Sequence, residues 1–467
     1  MMKELVEREV KLEPEEGFVL PELGGEPLPT RRFVSTYHDT ADLALAHRGV
    51  TLRYRLEAGV GLWQLKLPKG AARIELEQPG TPARPPLELT SLLLGHLRGR
   101  PVGPVARLRT RREVVRAEGA EIVDDAVAVL AGPRVVARFR ELEVELTGGD
   151  EKRLKRLEKE LRKAGATTAE QRPKVFRALD LVVPSTTPRL GRKTPPTVAL
   201  GVALAEQARR LLLHDPGTRL GSDVEDLHQM RVATRRLRAF LRVGGPLLDE
   251  SWSEPLRDEL AWLGGALGPA RDLDVLIEHL EGELEAVGEL EHARGLLEAL
   301  REKQVEARRA VVATLSSDRY LALLERLDHV GTPELTGDET PLAELWAAAW
   351  RRARKRLARL DQHSSDEEIH EARIALKRAR YAADLAGHEL GKRGRWFENA
   401  AAGLQDVLGA NQDAAVAEER IRAWATTPDE SVVAGQLVQR QRDRKAAAAA
   451  IRPVAWTAVR RAAKNLG

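Results

Sequence analysis

The 467-residue chain has no cysteine. That excludes disulfides, thiolate zinc sites and thiol nucleophiles together. Aromatic residues make up only 4%, which leaves little material for base stacking, and no DNA- or RNA-reading motif is present, so nucleic acid is a disfavoured partner. Long apolar runs are missing. The opening MMKELVEREVK lacks the apolar stretch of a signal peptide, and no later segment approaches a membrane span. A cytoplasmic protein without membrane contact is the expectation. Charge of one sign is not in excess either: the net charge is +4, so an anionic partner has to be argued from where charges cluster.

What is present is enough apolar sequence for real cores, 43%, and enough length for two or more domains. Residues 1–183 hold short β-like runs such as RFVSTYHDT (32–40), VTLRYRL (50–56), LWQLKL (62–67), ARLRTRREVV (106–115), AEIVDDAVAVL (120–130) and RELEVEL (140–146). One helix is expected over 151–165, with leucines at 154, 157 and 161. Residues 184–196, PSTTPRLGRKTPP, read as a linker. Residues 197–467 are almost wholly helical in pattern and internally repeated. HQMRVATRRLRAFLR (228–242) returns as HEARIALKRARYAAD (370–384), and LGPARDLDVL (267–276) returns as LGANQDAAV (408–416). Two similar helical bundles related by a pseudo-two-fold axis are the expected architecture.

In the first region charges alternate with apolar residues. Glu7, Glu9 and Lys11 would share one strand face, about 7 Å apart. Arg53 and Arg55 flank Tyr54, Lys66 lies between leucines, Arg107, Arg109 and Arg111 alternate, and so do Glu141, Glu143 and Glu145. An open sheet would show these charges to water. A closed barrel would turn them inward, where they must pair or bind ions.

The motif Glu7-x-Glu9-x-Lys11, followed by Tyr37-x-Asp39-Thr40, Leu52-Arg53-x-Arg55 and a late Glu-x-Glu strand, resembles the CYTH domain of triphosphate tunnel metalloenzymes over residues 1–183. The resemblance implies an eight-stranded antiparallel tunnel that binds a linear triphosphate with Mg²⁺ or Mn²⁺. It implies Glu7, Glu9, Glu141 and Glu143 as metal ligands, with Glu145 a neighbouring candidate and either Asp124 or Asp125 a further acid. It implies Lys11, Arg53, Arg55, Lys66, Arg109 and Arg111 as phosphate contacts and Lys174 and Arg177 as a closing basic pair. Glu7, Glu9 and Lys11 form the candidate catalytic set. The family often has serine before that lysine, whereas Pro173 stands here. An all-oxygen ligand set suits hard cations, and fixed cations offset phosphate charge, so hydrolysis of the terminal phosphoryl group needs mainly positioning.

In the second region His228, Arg231, Arg235, Arg238 and Arg242 fall on one helical stripe, and 228–242 has no Asp or Glu. The second copy keeps His370, Arg373, Lys377 and Arg380, then breaks at Asp384. Uncompensated stripes point to a polyanion. The paired His-x-x-Arg helices and LG-x-x-x-D segments resemble the CHAD domain over about 197–467, which implies an all-α domain of two pseudo-symmetric four-helix bundles, binding of inorganic polyphosphate and association with polyphosphate granules. Gln412 replaces Arg271 in the second copy, so the two halves need not bind equally. The expected whole is an α+β multidomain protein: a metal-dependent triphosphatase with a polyphosphate-binding domain. A non-catalytic polyphosphate scaffold, adenylate cyclisation and thiamine triphosphate hydrolysis remain open alternatives.

Overall fold

The computed structural model describes all residues except 1, 8, 71, 118, 149–150, 170–172, 182–187, 290, 362 and 467, and the side chains of 6, 7 and 429. The chain divides into two compact units, Met1–Thr186 and Thr187–Gly467. The expected linker lies outside the described residues at 184–187; residues 188–195 form neither helix nor strand.

The first unit is built from β1 (Lys3–Glu7), β2 (Glu9–Pro14), β3 (Glu26–Asp39), β4 (Thr51–Glu57), β5 (Val60–Lys69), β6 (Ala72–Pro79), β7 (Gly103–Ala117), β8 (Ala120–Ala131), β9 (Arg134–Leu146) and β10 (Ala166–Thr168). Among the described residues four α-helices accompany them: α1 (Leu87–Ser91), α2 (Leu94–Leu97), α3 (Glu151–Lys163) and α4 (Lys174–Ala178). All pairings are antiparallel, in the order β1-β6-β5-β4-β3-β7-β8-β9-β2-β10. The two ends of that order meet, because β1 and β2 are separated by one residue. The first strand thus pairs with β6 through Lys3–Glu7 and with β9 through Glu9–Leu12, and the sheet closes into a tunnel. Ten strands are described against the expected eight. β1 and β2 are halves of one wall position, and β10 is a short addition to β2, so eight positions form the wall.

Closure sorts the alternating residues. Val10, Leu12, Ile122, Leu142 and Val144 face outward into a core with Leu157 and Leu161 of α3. Their neighbours Lys11, Asp125, Glu141 and Glu143 face inward. Tyr37, Leu108, Val127 and Val129 pack against Val175 and Phe176 of α4.

The second unit comprises α5 (Pro196–Leu213), α6 (Asp215–Leu220), α7 (Val224–Val243), α8 (Glu250–Val287), α9 (Arg294–Leu315), α10 (Asp318–Asp328), α11 (Leu342–Leu357), α12 (Asp366–Leu385), α13 (Gly387–Trp424) and α14 (Pro428–Lys464). The repeated stretches occupy α7 and α12, and the repeated LG segments lie in α8 and α13. Asp223 caps α7, and a Ser365–Glu368 capping box starts α12. One large core runs through both repeats and includes Leu237, Leu267, Leu376 and Leu408. A second core joins Leu280 and Leu284 of α8 and Leu297 of α9 to Ile421 of α13 and Leu437 of α14, so the two bundles share a common end. Gly391, with φ 60° and ψ −139°, breaks α13 near its start, a conformation that strains any residue with a Cβ.

Asp39 shows why the Tyr37-x-Asp39-Thr40 segment has its sequence. Its buried carboxylate accepts the backbone N–H groups of Thr40 at 2.7 Å, Leu45 at 2.9 Å and Ala46 at 2.8 Å, which fixes the turn between β3 and β4. Asp39→Ala leaves those amides without partners and is expected to cost about 2–3 kcal/mol. Hydrogen exchange is the check: the Leu45 and Ala46 amides should exchange faster in the variant, and unchanged exchange would contradict the role.

Candidate functional site

The tunnel lining has two electrostatic halves, and the strand order creates them. On the β5-β4-β3-β7 side stand Lys66, Arg53, Arg55 and Arg112, with Phe33 of β3 between the arginines. The Arg55 guanidinium lies 4.0 Å and that of Arg112 5.6 Å from the Phe33 ring centre. On the β8-β9-β2-β6 side stand Asp125, Glu141, Glu143, Glu145, Glu9 and Glu75. Short bridges cross between them: Lys66 to Glu75 at 3.2 Å, Arg112 to Asp125 at 2.7 Å and Arg112 to Glu143 at 3.3 Å.

Two lysines sit inside the acidic half. Lys11 reaches Glu9 at 3.5 Å and Glu141 at 3.0 Å and also bonds Glu143. Lys174 of α4 reaches Asp125 at 2.9 Å, Glu141 at 3.1 Å and Glu143 at 2.9 Å. Burial alone would lower both lysine pKa values, but the surrounding carboxylates hold both above the ordinary range. Burial likewise opposes ionisation of Glu143, yet Lys11, Lys174 and Arg112 keep its pKa well below the usual value.

The pairing is not complete. Oxygen atoms of Glu9, Glu143 and Glu145 lie within 4.8 Å of one another. Burial, then repulsion from Glu143, pushes the Glu145 carboxyl up to about 7 despite Arg112 and Lys66 nearby. Across the lumen burial, then Arg53, pushes Arg55 down to about 10. Glu145 thus marks a local surplus of negative charge, while on the other strands Arg53 crowds Arg55, whose carboxylate partner is Glu57. The three carboxylates fit a hard divalent cation by donor chemistry and by spacing.

The structure brings together Glu9, Lys11, Arg53, Arg55, Lys66, Asp125, Glu141, Glu143, Glu145 and Lys174. The Glu7 side chain lies outside the described residues. Arg177 stands at the edge, bonded to Glu13 at 2.6 Å and 4.0 Å from Glu141. Three expectations need correction. Asp124 points away from the lumen and pairs with Arg140 at 2.6 Å. Arg109 and Arg111 lie on the exposed outer face, Arg111 paired with Glu113. The reason is strand parity: in β7 the inward set is Leu108, Thr110 and Arg112, so its charged alternation faces solvent. Arg112 was missed, although its phase with Leu108 was legible. Pro173 departs harmlessly, serving as the residue before the first turn of α4.

In the second unit α7 and α12 bring one group of cations together. Arg235 lies near Arg231, Arg373 and Arg380, and burial with these neighbours lowers its pKa. Burial and the same arginines push Lys377 down to about 7. His228 lies near Arg271, and Arg231 reaches Asp272 at 2.6 Å. Arg238 and Arg242 lie near each other and Arg257, and His370 is exposed. A Cβ on Gly268 would lie 3.9 Å from Arg231, and one on Gly409 3.5 Å from Arg373, so the repeated glycine accompanies the repeated arginine. Asp384, which breaks the second stripe, pairs with Arg236 at 3.4 Å.

Comparison with known proteins finds a domain family for each unit. The CYTH domain family matches residues 5–175 and the CHAD domain family residues 202–422. Uncharacterized proteins from two strains of Mycobacterium tuberculosis are 32% identical over 463 residues, 90% of this chain and 88% of theirs. The chain belongs to the CYTH–CHAD family. Among solved structures, PptA from Streptomyces chartreusis is similar at 25% identity and TM-score 0.48, over 56% of this chain and 100% of that one. The CHAD domain from the plant Ricinus communis is similar at 28% identity and TM-score 0.45, over 59% and 94%. An adenylyl cyclase candidate from Hippeastrum with a dominant triphosphatase activity is similar at 20% identity and TM-score 0.26, over 38% and 98%. As a CYTH–CHAD protein the chain is a triphosphate-tunnel protein with a CHAD domain. Among the described residues no helix is long and apolar enough to cross a membrane.

Glu145 gives a pH prediction. Its folded pKa lies above its ordinary value of 4.5, so the folded state holds a proton that the unfolded state releases between 4.5 and about 7. Ionising Glu145 therefore costs stability as pH rises through that window. In chelator-treated protein Glu145→Gln should raise the thermal midpoint at pH 8, by on the order of 2 kcal/mol in stability, and should not raise it near pH 4. A lowered midpoint at pH 8 would refute the charge surplus.

Proposed function

We propose that the tunnel hydrolyses inorganic triphosphate, or a related triphosphate, with Mg²⁺ or Mn²⁺, and that the helical unit binds inorganic polyphosphate. The observation that carries this reading is the close group of three carboxylates, Glu9, Glu143 and Glu145, on the acidic strands of a lumen whose other strands carry Arg53, Arg55 and Arg112. A phosphate chain supplies negative charge to the arginines, and a divalent cation supplies positive charge to the carboxylates.

In this reading Glu9, Glu143 and Glu145 hold the metal. When bound, the metal would polarise the phosphoryl group under attack. Arg53, Arg55, Arg112 and Lys66 bind and orient phosphate oxygens, with fork-shaped guanidinium contacts where two N–H groups can reach one phosphoryl group. Lys11 and Lys174 keep Glu143 ionised and position both it and Glu141. Lys174 also ties α4 to the acidic half, so the helix closes against the ligand chamber. No nucleophilic side chain is required, because positioning and charge stabilisation account for most of phosphoryl-transfer catalysis.

The test is phosphate release from tripolyphosphate by full-length protein with Mg²⁺ or Mn²⁺, alongside thiamine triphosphate and ATP. Glu9→Gln should lower release by about 100-fold or more, in line with the loss of one element of preorganised charge stabilisation. Arg235→Ala should leave release intact and weaken binding of long-chain polyphosphate. Unchanged release in Glu9→Gln would overturn the catalytic assignment, and the binding scaffold would then be the better reading.

Lys377 supplies a second test. Its pKa of about 7 leaves it mostly neutral at pH 8. Phosphate beside it favours the ammonium form, so polyphosphate binding should take up as much as about one proton at that pH. Calorimetric titration in buffers of different ionisation heat measures the uptake. Lys377→Met should abolish it, and uptake unchanged in that variant would place the proton elsewhere.

A further inference from the structure

The outer face of the β3-β7-β8-β9 sheet carries a feature that the tunnel does not use. A cavity of about 210 Å³ opens there, lined by Arg32, Arg109, Arg111 and Arg138 around Ala126 and Ala128. The strand registers explain its form. Arg109 and Arg138 are both paired in register with Ala128, one from each neighbouring strand, and so stand roughly 10 Å apart with a small residue between them. Arg32 is in register with Arg111, which in turn is in register with Ala126. All four arginines are exposed. Arg111 pairs with Glu113, whereas Arg32, Arg109 and Arg138 have no carboxylate partner among the described residues. Like charges directly opposite one another destabilise a sheet, and a solvated sheet face usually intersperses the two signs. Here four guanidinium groups surround a floor of two alanines, where larger side chains would otherwise fill the depression.

We propose that this depression is a second anion site of the first unit, outside the tunnel, that takes a segment of a condensed phosphate chain. A group over Ala128 lies between the guanidinium groups of Arg109 and Arg138, and a neighbouring group over Ala126 meets Arg32 and Arg111. Such close packing of cations suits a ligand that carries a charge on every phosphorus with no sugar between them. The lining offers no aromatic face for a base, since Phe139 shares the inward phase of Glu141 and packs with Val127 and Phe176 on the other side of the sheet. The choice of condensed phosphate rests on the function proposed above, while the site rests on the outer-face geometry alone.

Arginine footprinting of the full-length protein tests it. The protein is treated with phenylglyoxal with and without medium-chain inorganic polyphosphate, and adducts are quantified residue by residue by mass spectrometry. With polyphosphate at about ten times its dissociation constant, labelling of Arg109 and Arg138 should fall about tenfold while the exposed Arg84 stays unchanged. The same protection should persist in Glu9→Ala, whose tunnel lacks a proposed metal ligand, so an inactive tunnel and an absent outer site give different results. Arg109→Gln combined with Arg138→Gln should leave tripolyphosphate turnover unchanged and remove protection of Arg32. Full labelling of Arg109 and Arg138 while Arg235 is protected would overturn the site. Stronger protection by single-stranded RNA at equal phosphate concentration would overturn the choice of ligand.

Discussion

A charge taken out of water must meet its opposite or lose its ionisation, and the first unit is organised around that demand. Closing the sheet commits at least ten ionic side chains to one lumen. The strand order places cations on contiguous strands and acids on the remaining ones, so the two sets confront each other across the interior. Lys11 and Lys174, set among the acids, keep Glu143 ionised and pair with Glu141. What is left unpaired is small and local, and that remainder is where ligand chemistry can act. A fully neutralised lumen would be a structural core, and a lumen of one sign would not stay folded.

The helical unit meets the same demand in another way. It gathers Arg231, Arg235, Arg373, Lys377 and Arg380 where α7 approaches α12, with burial lowering Lys377 toward neutrality. The repeat therefore does more than duplicate a stripe. It lets two helices from separate copies contribute to one cationic group, and the acid that interrupts the second copy is spent on Arg236. Full charge on that group depends on an anion from outside, so its protonation and its occupancy are linked.

Much of this was legible in the residues. The period-two alternation of β2, β4 and β9 put Lys11, Arg53, Arg55, Glu141 and Glu143 on the face opposite the apolar residues, and the CYTH resemblance implied that this face turns inward. The helical repeat gave the correspondence of α7 with α12. Legibility failed where parity could not be read from charge. In β7 both faces carry arginines, and only the buried Leu108 and Thr110 reveal that Arg112 is the inward one. In β8 two adjacent aspartates differ only in phase, and Arg140 and Arg112 separate them. The convergence of the two basic stripes depends on how α7 and α12 pack, which no local pattern encodes. Short α1, α2 and α4 carry too little periodicity to announce themselves.

The first strand belongs to both seams of the tunnel, and this has a consequence for biosynthesis. Lys11 meets Glu141 at a separation of 130 positions and Glu143 at 132, so β2 can dock on this side only after β9 has been made. Contacts this remote in sequence slow folding, because the loop between them must be ordered first. During that wait β1 and β2 present open hydrogen-bonding edges, and their closely spaced glutamates and lysines act as gatekeepers against pairing with other nascent chains.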